Sequence, residues 1–381
     1  MAGEPARNPR VLHVYRTYFP DTQGGGEELI RQICRNTRGM GIDSRVFTLS
    51  PDPAPAPIQR DEALVIQARR HLEIASCGIS LSALPAFRAE AARADVLHYH
   101  FPWPFGDALH LLGGSATRNK PTVVSHLSDV VRQRGLMALY QPLMRRFLAR
   151  ADRIVATSPN YAASSPLLGA YRDKLCIIPI GLDDGQLPAV TPAQVAAVRE
   201  RHGEDFLLFV GVFRYYKGLH VLLEAARDTR ANIVIAGAGP EEAALRAFAR
   251  EHKLANVRFA GRVSDADKAA LLHGCRGLVF PSHLPAESFG ISLLEAAMVG
   301  RPMISCEIGT GTTYVNRHGE TGLVVAPGNA AQLATAMNTL AGDEALAARL
   351  GAAARRRYEA LFTGAAMGER YAALYRELLG R

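Results

Sequence analysis

Cysteine, aromatic residues and long apolar runs are all scarce in this 381-residue chain. The five cysteines, Cys34, Cys77, Cys176, Cys275 and Cys306, are scattered, odd in number and without a C-x-x-C pair. That pattern argues against a disulfide framework or a zinc site and for free thiols in a reducing compartment. Aromatics make up 7% of the chain, with one tryptophan, and they form no stripe interleaved with basic residues that would stack on bases, so nucleic acid is not an expected partner. No segment approaches the length of a bilayer span, and the run Val11–Val14 is too short for a signal-peptide core. A cytoplasmic protein is the expectation. G-x-G-x-x-G is missing as well, which argues against a nicotinamide or flavin dinucleotide.

The hydrophobic fraction of 48% and the charged fraction of 21% are those of a folded globular chain, and 381 residues suit two domains better than one. The formal net charge of +8 fits an anionic partner such as a nucleotide diphosphate or an anionic membrane surface; it also fits an arginine-rich composition that only keeps the protein soluble.

Short apolar runs alternate with helical patterns. Strands are expected at Val11–Tyr15, Arg45–Leu49, Val65–Ala68, Asp95–Tyr99, Thr122–His126, Arg153–Thr157 and Leu175–Ile178, with a helix over Glu27–Met40 after a Gly-rich turn. The pattern breaks at Pro179–Asp183 and restarts with strands at Phe206–Val212, Ile233–Ala236, Val257–Phe259, Leu278–Phe280 and Met303–Ser305, and a helix from Lys217. Strands linked by helices imply parallel, doubly wound sheets. The fold class is therefore α/β with two Rossmann-like domains, residues 1–186 and 187–363, and a helical tail, 364–381, that packs back on the first. Ligands of such sheets lie beyond the strand carboxyl ends, so two facing rows of ends would form an interdomain cleft.

The strongest constellation is Glu287-Ser288-Phe289-Gly290-Ile291-Ser292-Leu293-Leu294-Glu295, after the strand Leu278–Phe280. A helix beginning near Gly290 offers unpaired N–H groups and a positive dipole end that suit a diphosphate. Glu287 in the turn can hold sugar hydroxyls, and Glu295 one to two turns in can hold a ribose diol. Gly24-Gly25 lets the backbone approach a phosphate, or simply makes a turn. Arg214 and Lys217 can stabilise charge on a departing diphosphate, or can be solvated loop cations. His126 and Asp129 follow a strand in the first half and read either as acceptor-side groups or as structural ones; His98 and His100 stay unassigned. Asp265-Ala266-Asp267 reads as a helix start capped by Ser264 rather than as a metal-chelating pair. The arginines Arg132, Arg134, Arg145, Arg146, Arg150 and Arg153 border the apolar positions Leu136, Leu139, Tyr140, Leu143, Phe147 and Leu148. This is a core helix with a solvated basic face, and that face can also attract anionic lipid headgroups.

Glu287 and Glu295, with Phe-Gly-Ile-Ser-Leu-Leu between them, resemble the E-x7-E motif of glycosyltransferase family 4. Tyr18–Glu27 resembles that family's Gly-Gly donor loop, and Phe209-Val210-Gly211, Lys217-Gly218, Gly237-Ala238-Gly239-Pro240 and Phe259-Ala260-Gly261-Arg262-Val263 fall where the family places its donor segments. The resemblance implies the two-domain GT-B fold, retention of anomeric configuration, no cofactor and no obligatory metal. It implies catalytic roles for Arg214, Lys217, Glu287 and His126, an acceptor-side role for Asp129, and donor contacts from Gly24, Gly25, Arg262, Val263, Phe289, Gly290, Ile291, Ser292 and Glu295. Two residues depart from the family pattern: Val212 stands where an arginine is common, and Leu127 where the family's histidine stands, which leaves Arg214 displaced and His126 one place early. Within the family the likeness is to bacterial mannosyl- and rhamnosyltransferases of surface-polysaccharide assembly. The partners implied are a nucleotide sugar, with GDP favoured and UDP possible, and a glycan or lipid-linked acceptor reached by peripheral contact at the inner face of a membrane. The rival readings are a two-Rossmann sugar-nucleotide epimerase and a non-catalytic glycan- or nucleotide-binding relative.

Overall fold

The computed structural model describes residues 7–22, 24–74, 77–129 and 134–380, with side chains from residue 140 onward in the helix Arg134–Arg150. Among these residues the chain forms two compact units, each built on its own parallel sheet. The first comprises Met1–Thr157, Ser165–Gly181 and Gly364–Arg381; the second comprises Ser158–Ser164 and Leu182–Thr363.

The first unit holds β1 (Arg10–Val14), β2 (Asp43–Ser50), β3 (Ile58–Gln59), β4 (Leu64–Arg69), a small hairpin of β5 (Leu72–Ile74) and β6 (Cys77–Ile79), then β7 (Val96–Phe101), β8 (Thr122–His126), β9 (Arg153–Ala156) and β10 (Leu175–Ile177). Its main sheet runs β10-β9-β8-β7-β1-β2-β4-β3, parallel except for β3. The second unit holds β11 (Leu207–Val210), β12 (Ile233–Ala236), β13 (Val257–Gly261), β14 (Gly277–Phe280), β15 (Met303–Cys306) and β16 (Gly322–Val325), in the order β13-β12-β11-β14-β15-β16, all parallel. In both sheets the order reverses beside the first strand, between β1 and β7 and between β11 and β14. These reversals are the switch points of doubly wound folds, where crevices open at the carboxyl ends. The central strands β7, β8, β12, β14 and β15 are buried at every position, as strands covered on both faces must be.

The chain changes units at Gly181/Leu182, a few residues before the expected boundary at 186. Leu182 N–H donates to Phe362 O at 3.0 Å, Tyr358 Oη donates to Leu182 O at 2.7 Å, and Arg355 pairs with Asp184 at 2.9 Å, so these residues are tied into the second unit. Three further differences are local. The helix expected from Lys217 is a 3-10 turn, Tyr215–Lys217, followed by Leu219–Ala225, because Gly218 between them is left-handed at φ 69°. The strand β16 was not anticipated: Gly-Leu-Val-Val is too short to carry a periodicity. Arg153 opens β9 and pairs with Glu377 at 2.6 Å, so it does not extend the basic helix. That helix ends at Arg150, with Met144, Phe147 and Leu148 buried and Arg145, Arg146 and Arg150 exposed; Arg132 lies outside the described residues, as do the side chains of Arg134, Leu136 and Leu139.

The C-terminal helix Gly364–Leu378 belongs to the first unit. Gly368 lies so close to the helix Gly25–Arg38 that a Cβ there would come within 2.7 Å of Asn36 Cβ. From the same helix Tyr375 Oη meets His98 Nδ1 at 2.8 Å and Tyr371 Oη meets Ser125 Oγ at 2.9 Å, while His98 Nε2 meets that same Oγ at 2.8 Å. His13 Nδ1 and His100 Nε2 lie 3.1 Å apart beside this network. Burial drives all three imidazoles toward the neutral form: His13 is lowered to about 3, and His98 and His100 well below the ordinary histidine value, with like charges within the trio adding to the last two.

Because these groups bind protons more readily in the unfolded chain, their contribution to stability is complete above about pH 6.5 and is lost as pH falls toward 3. We expect urea-unfolding free energy to fall between pH 7 and pH 5 by up to about 1.4 kcal/mol per pH unit for each buried imidazole. A flat profile over that interval would contradict the neutral trio.

Candidate functional site

In the second unit the loops leaving β11 and β14 flank the switch point, and each delivers one charge. Lys217 closes the 3-10 turn after β11, Glu287 lies in the loop after β14, and Lys217 Nζ donates to Glu287 Oε2. Ser282 Oγ donates to the same oxygen at 3.3 Å, and Thr310 Oγ1 fixes the Glu287 carbonyl at 2.7 Å. The ammonium sits 4.7 Å from the Phe280 ring centroid and 5.4 Å from that of Tyr216. Burial acts to lower the Lys217 pKa, but the Glu287 carboxylate and the Tyr216 hydroxyl carry it above the ordinary lysine value, so the ammonium stays charged.

Glycines bring these loops together. A Cβ on Gly218 would lie 2.0 Å from Pro281 O, one on Gly237 1.9 Å from Gly211 O, and one on Gly239 2.5 Å from Phe213 O. The three loops therefore touch backbone to backbone at the carboxyl edge. Gly290, left-handed at φ 96°, caps the helix Ile291–Met298, as the sequence suggests. Leu293 N–H turns back to Gly290 O at 3.0 Å, and the N–H groups ahead of it lack the i−4 acceptors of a helix interior, so Phe289, Gly290, Ile291 and Ser292 stand at a positive end next to Glu287. Ser292 Oγ anchors this end to Val210 O at 3.0 Å.

Glu295 lies one turn into the helix, 5% exposed, and accepts from Lys268 Nζ at 2.9 Å. Burial opposes the Lys268 charge; Glu295, with Asp265 at 3.3 Å, more than offsets it and raises the Lys268 pKa. Lys268 is the site residue that sequence reasoning passed over. Its signal was the spacing Asp265-x-x-Lys268, which places both groups on one helical face. Ser264 Oγ accepts from Asp267 N–H at 3.1 Å, so the Asp-x-Asp pair sits in a capped first turn. Arg214 and Arg262 are exposed on loops at the same edge, and Val263 is half-buried. Val212 is 51% exposed, so the position where relatives carry an arginine points outward here.

In the first unit Gly24 precedes the helix Gly25–Arg38 at the β1 switch-point edge. Two of the loop's glycines have packing reasons: a Cβ on Gly24 would lie 2.7 Å from Glu27 Oε2, and one on Gly26 2.5 Å from Tyr15 Oη. Glu27, itself buried, accepts from Thr17 at 2.7 Å and Thr22 at 2.9 Å, which holds the loop against its helix. His126 does not present its ring at an open strand end. It is 0% exposed and stacks on Phe101 at 4.7 Å, with its pKa lowered to about 3 by burial. One place along a strand turns a side chain to the other face, and Leu127 takes the outward position against the cluster of Tyr15, Tyr18 and Phe19. Asp129 accepts from Ser165 at 2.9 Å and lies 3.7 Å from His126 Nε2.

Two doubly wound sheets, with a lysine–glutamate pair and a helix N-terminus at the second switch point, define a GT-B glycosyltransferase. Sucrose-phosphate synthase from Thermosynechococcus elongatus shares the fold with a TM-score of 0.79 over 98% of this chain and 99% of that one, at 22% identity. Anabaena HepE in complex with UDP shares it at 0.78 over 97% and 100%, at 17% identity. The family described as Glycosyltransferase Family 4 matches residues 23–186, and that described as Glycosyl transferases group 1 matches residues 191–357. D-rhamnosyltransferase WbpZ of Pseudomonas aeruginosa is 52% identical over 354 residues, 93% of this chain and 92% of that protein. O-antigen chain mannosyltransferase C of Escherichia coli is 48% identical over 370 residues, 97% of this chain and 99% of that protein. The chain belongs to glycosyltransferase family 4 and is a hexosyltransferase.

The close approach at Gly218 generates a sharp expectation. In Gly218→Ala the new methyl meets the Pro281 carbonyl at a left-handed φ, which costs more than about 1 kcal/mol and pushes Lys217 off Glu287. Thermal unfolding should drop by several degrees and nucleotide-sugar binding should weaken together. A variant with unchanged melting and binding would mean that the loop tolerates the methyl.

Proposed function

We propose that the chain transfers a mannose-type hexose, with retention, from a nucleoside diphosphate donor to a glycan or lipid-linked acceptor during assembly of a surface polysaccharide. The observation that carries this reading is the convergence of Lys217 and Glu287 at the second switch point, beside the N-terminus of Ile291–Met298. Lys217, with the exposed Arg214, stabilises negative charge gathering on the departing diphosphate, while the helix N-terminus receives its oxygens. Glu287 holds sugar hydroxyls, Glu295 the ribose diol, and Arg262 and Val263 flank the base. Gly24 and Gly25 let backbone approach the phosphates. The acceptor hydroxyl attacks on the leaving-group face and gives its proton to the departing phosphate oxygen. His126, neutral, buried and stacked on Phe101, does not meet substrate, and Ser165 holds Asp129. The D-rhamnosyl and mannosyl activities named for the two relatives support a mannose-type sugar, and the likeness of Tyr18–Glu27 to such enzymes supports guanine as the base.

Glu295→Ala should weaken GDP-sugar binding by roughly 1.5–3 kcal/mol, the worth of a hydrogen bond to a charged group, when titrated in EDTA. Glu287→Gln should lower turnover far more than donor affinity. A thermal-shift panel of GDP, UDP and ADP sugars should give its largest stabilisation with GDP-mannose. Full transferase activity in both variants would refute the site, and a larger shift with a UDP sugar would refute the base.

Peripheral membrane contact belongs to the same proposal. No helix among the described residues is long and apolar enough to cross a bilayer, while Arg145, Arg146 and Arg150 lie exposed on one helix. At about 1 kcal/mol per basic residue, such a face gives reversible attachment to anionic lipid. Co-sedimentation with anionic vesicles should be lost at high salt and in Arg145→Glu/Arg146→Glu, and neutral vesicles should not bind. Equal binding by wild type and variant would leave this face merely solvated.

A further inference from the structure

At the opposite edge of the second sheet, away from Lys217 and Glu287, three arginines and two glutamates, Glu204 and Glu344, line a cavity of about 320 Å³. Arg276 precedes β14, Arg301 lies two residues before β15, and Arg199 comes from the helix Pro192–His202. The strand β14 alone, at roughly 3.3 Å per residue, separates this amino edge from the Glu287 loop by on the order of 10 Å.

The three guanidiniums are poorly neutralised. Arg199 and Arg276 face Glu204 and Glu344 at 3.6 Å each, beyond hydrogen-bonding distance, and those carboxylates are 77% and 84% exposed. Arg301 has no carboxylate partner among the described residues; its Nη2 donates to His273 O at the end of the helix Asp265–Gly274. Arg199 Nε likewise donates to Gly274 O, at 3.2 Å. The Nε groups of Arg276 and Arg301 are buried without any hydrogen-bond partner. Buried charged donors left unpaired are costly, and like charges gathered on one cavity add to that cost. Burial, aided by Arg199 and Arg276, lowers the Arg301 pKa against the opposing influence of Cys275.

We propose that this cavity is a second anion site, separate from the donor crevice, that binds a phosphoryl group. Guanidiniums prefer tetrahedral oxyanions because their forked donors meet two oxygens at once, and Arg301, which has no carboxylate partner among the described residues, lines this cavity. The cavity has room for more than a lone phosphate, so a phosphorylated sugar fits the same chemistry as the free ion. A ligand bound here rests on the ends of β14 and β15 and on the helix Asp265–Gly274, which carries Lys268.

The test is calorimetric titration of the full chain with inorganic phosphate and with mannose 6-phosphate. Saturating GDP occupies the donor crevice throughout, and sodium chloride serves as the ionic-strength control. Both phosphates should bind saturably, and Arg276→Gln and Arg301→Gln should each weaken binding at least tenfold. The ratio of the two affinities assigns the source of the phosphoryl group. Arg276→Gln decides alone should Arg301→Gln fail to fold. Binding no stronger than the chloride control, binding unchanged in the variants, or binding abolished by GDP would each overturn the proposal. None of these outcomes depends on transferase activity, so failure here leaves the donor-site reading untouched.

Discussion

The second unit is organised around one ion pair between residues far apart in sequence, Lys217 and Glu287. Burying either charge alone would be expensive; burying both is tolerable only because they touch and because Ser282 supplies another donor to the carboxylate. The pair joins two loops from neighbouring strands on either side of the switch point, and the near contact of Gly218 with Pro281 permits the approach. The position of the helix that starts at Ile291 follows from this junction, and so does that of Glu295. The arrangement therefore keeps two charges at the carboxyl edge of the sheet, beside a helix N-terminus, with neither side chain largely exposed to water.

Much of the architecture was legible because parallel strands buried on both faces read as continuous apolar runs. Leu207–Val210, Ile233–Ala236 and Gly277–Phe280 show themselves this way, and the helices between them imply the winding. Elements without such a run were not legible. β16 is four residues long, and the β5–β6 hairpin is three residues per strand with Leu72 and Ile74 exposed. The helix after β11 was read as beginning two residues early, because a left-handed glycine following a 3-10 turn leaves no trace in periodicity.

Within the site, sequence spacing gave the glutamates and the lysine, but it could not give contacts between distant segments. Lys268 meets Glu295 across 27 residues, and the local spacing Asp265-x-x-Lys268 marks the lysine but not that partner. Glycines carry a second ambiguity: Gly24 stands against Glu27 Oε2, a packing reason that looks identical in sequence to a phosphate reason. His126 shows the sensitivity of strand ends to single-residue offsets. One position decides between a stacked, neutral core imidazole and an outward one, and the chain places leucine at the outward position.

The interleaving of the units bears on how the protein emerges from the ribosome. The chain passes between them at 157/158, 164/165, 181/182 and 363/364, so the first unit contains segments made both before and after the second unit. His98 and Ser125 are synthesised long before Tyr371 and Tyr375, the hydroxyls that complete their network. Until those tyrosines arrive, the face of β7 and β8 that carries His98 and Ser125 waits uncovered, while every residue of the second unit has already been made. That face of the nascent sheet thus stays open until the helix Gly364–Leu378 has been made, and a ribosome that stops short of that helix leaves a chain with one finished unit and one open one.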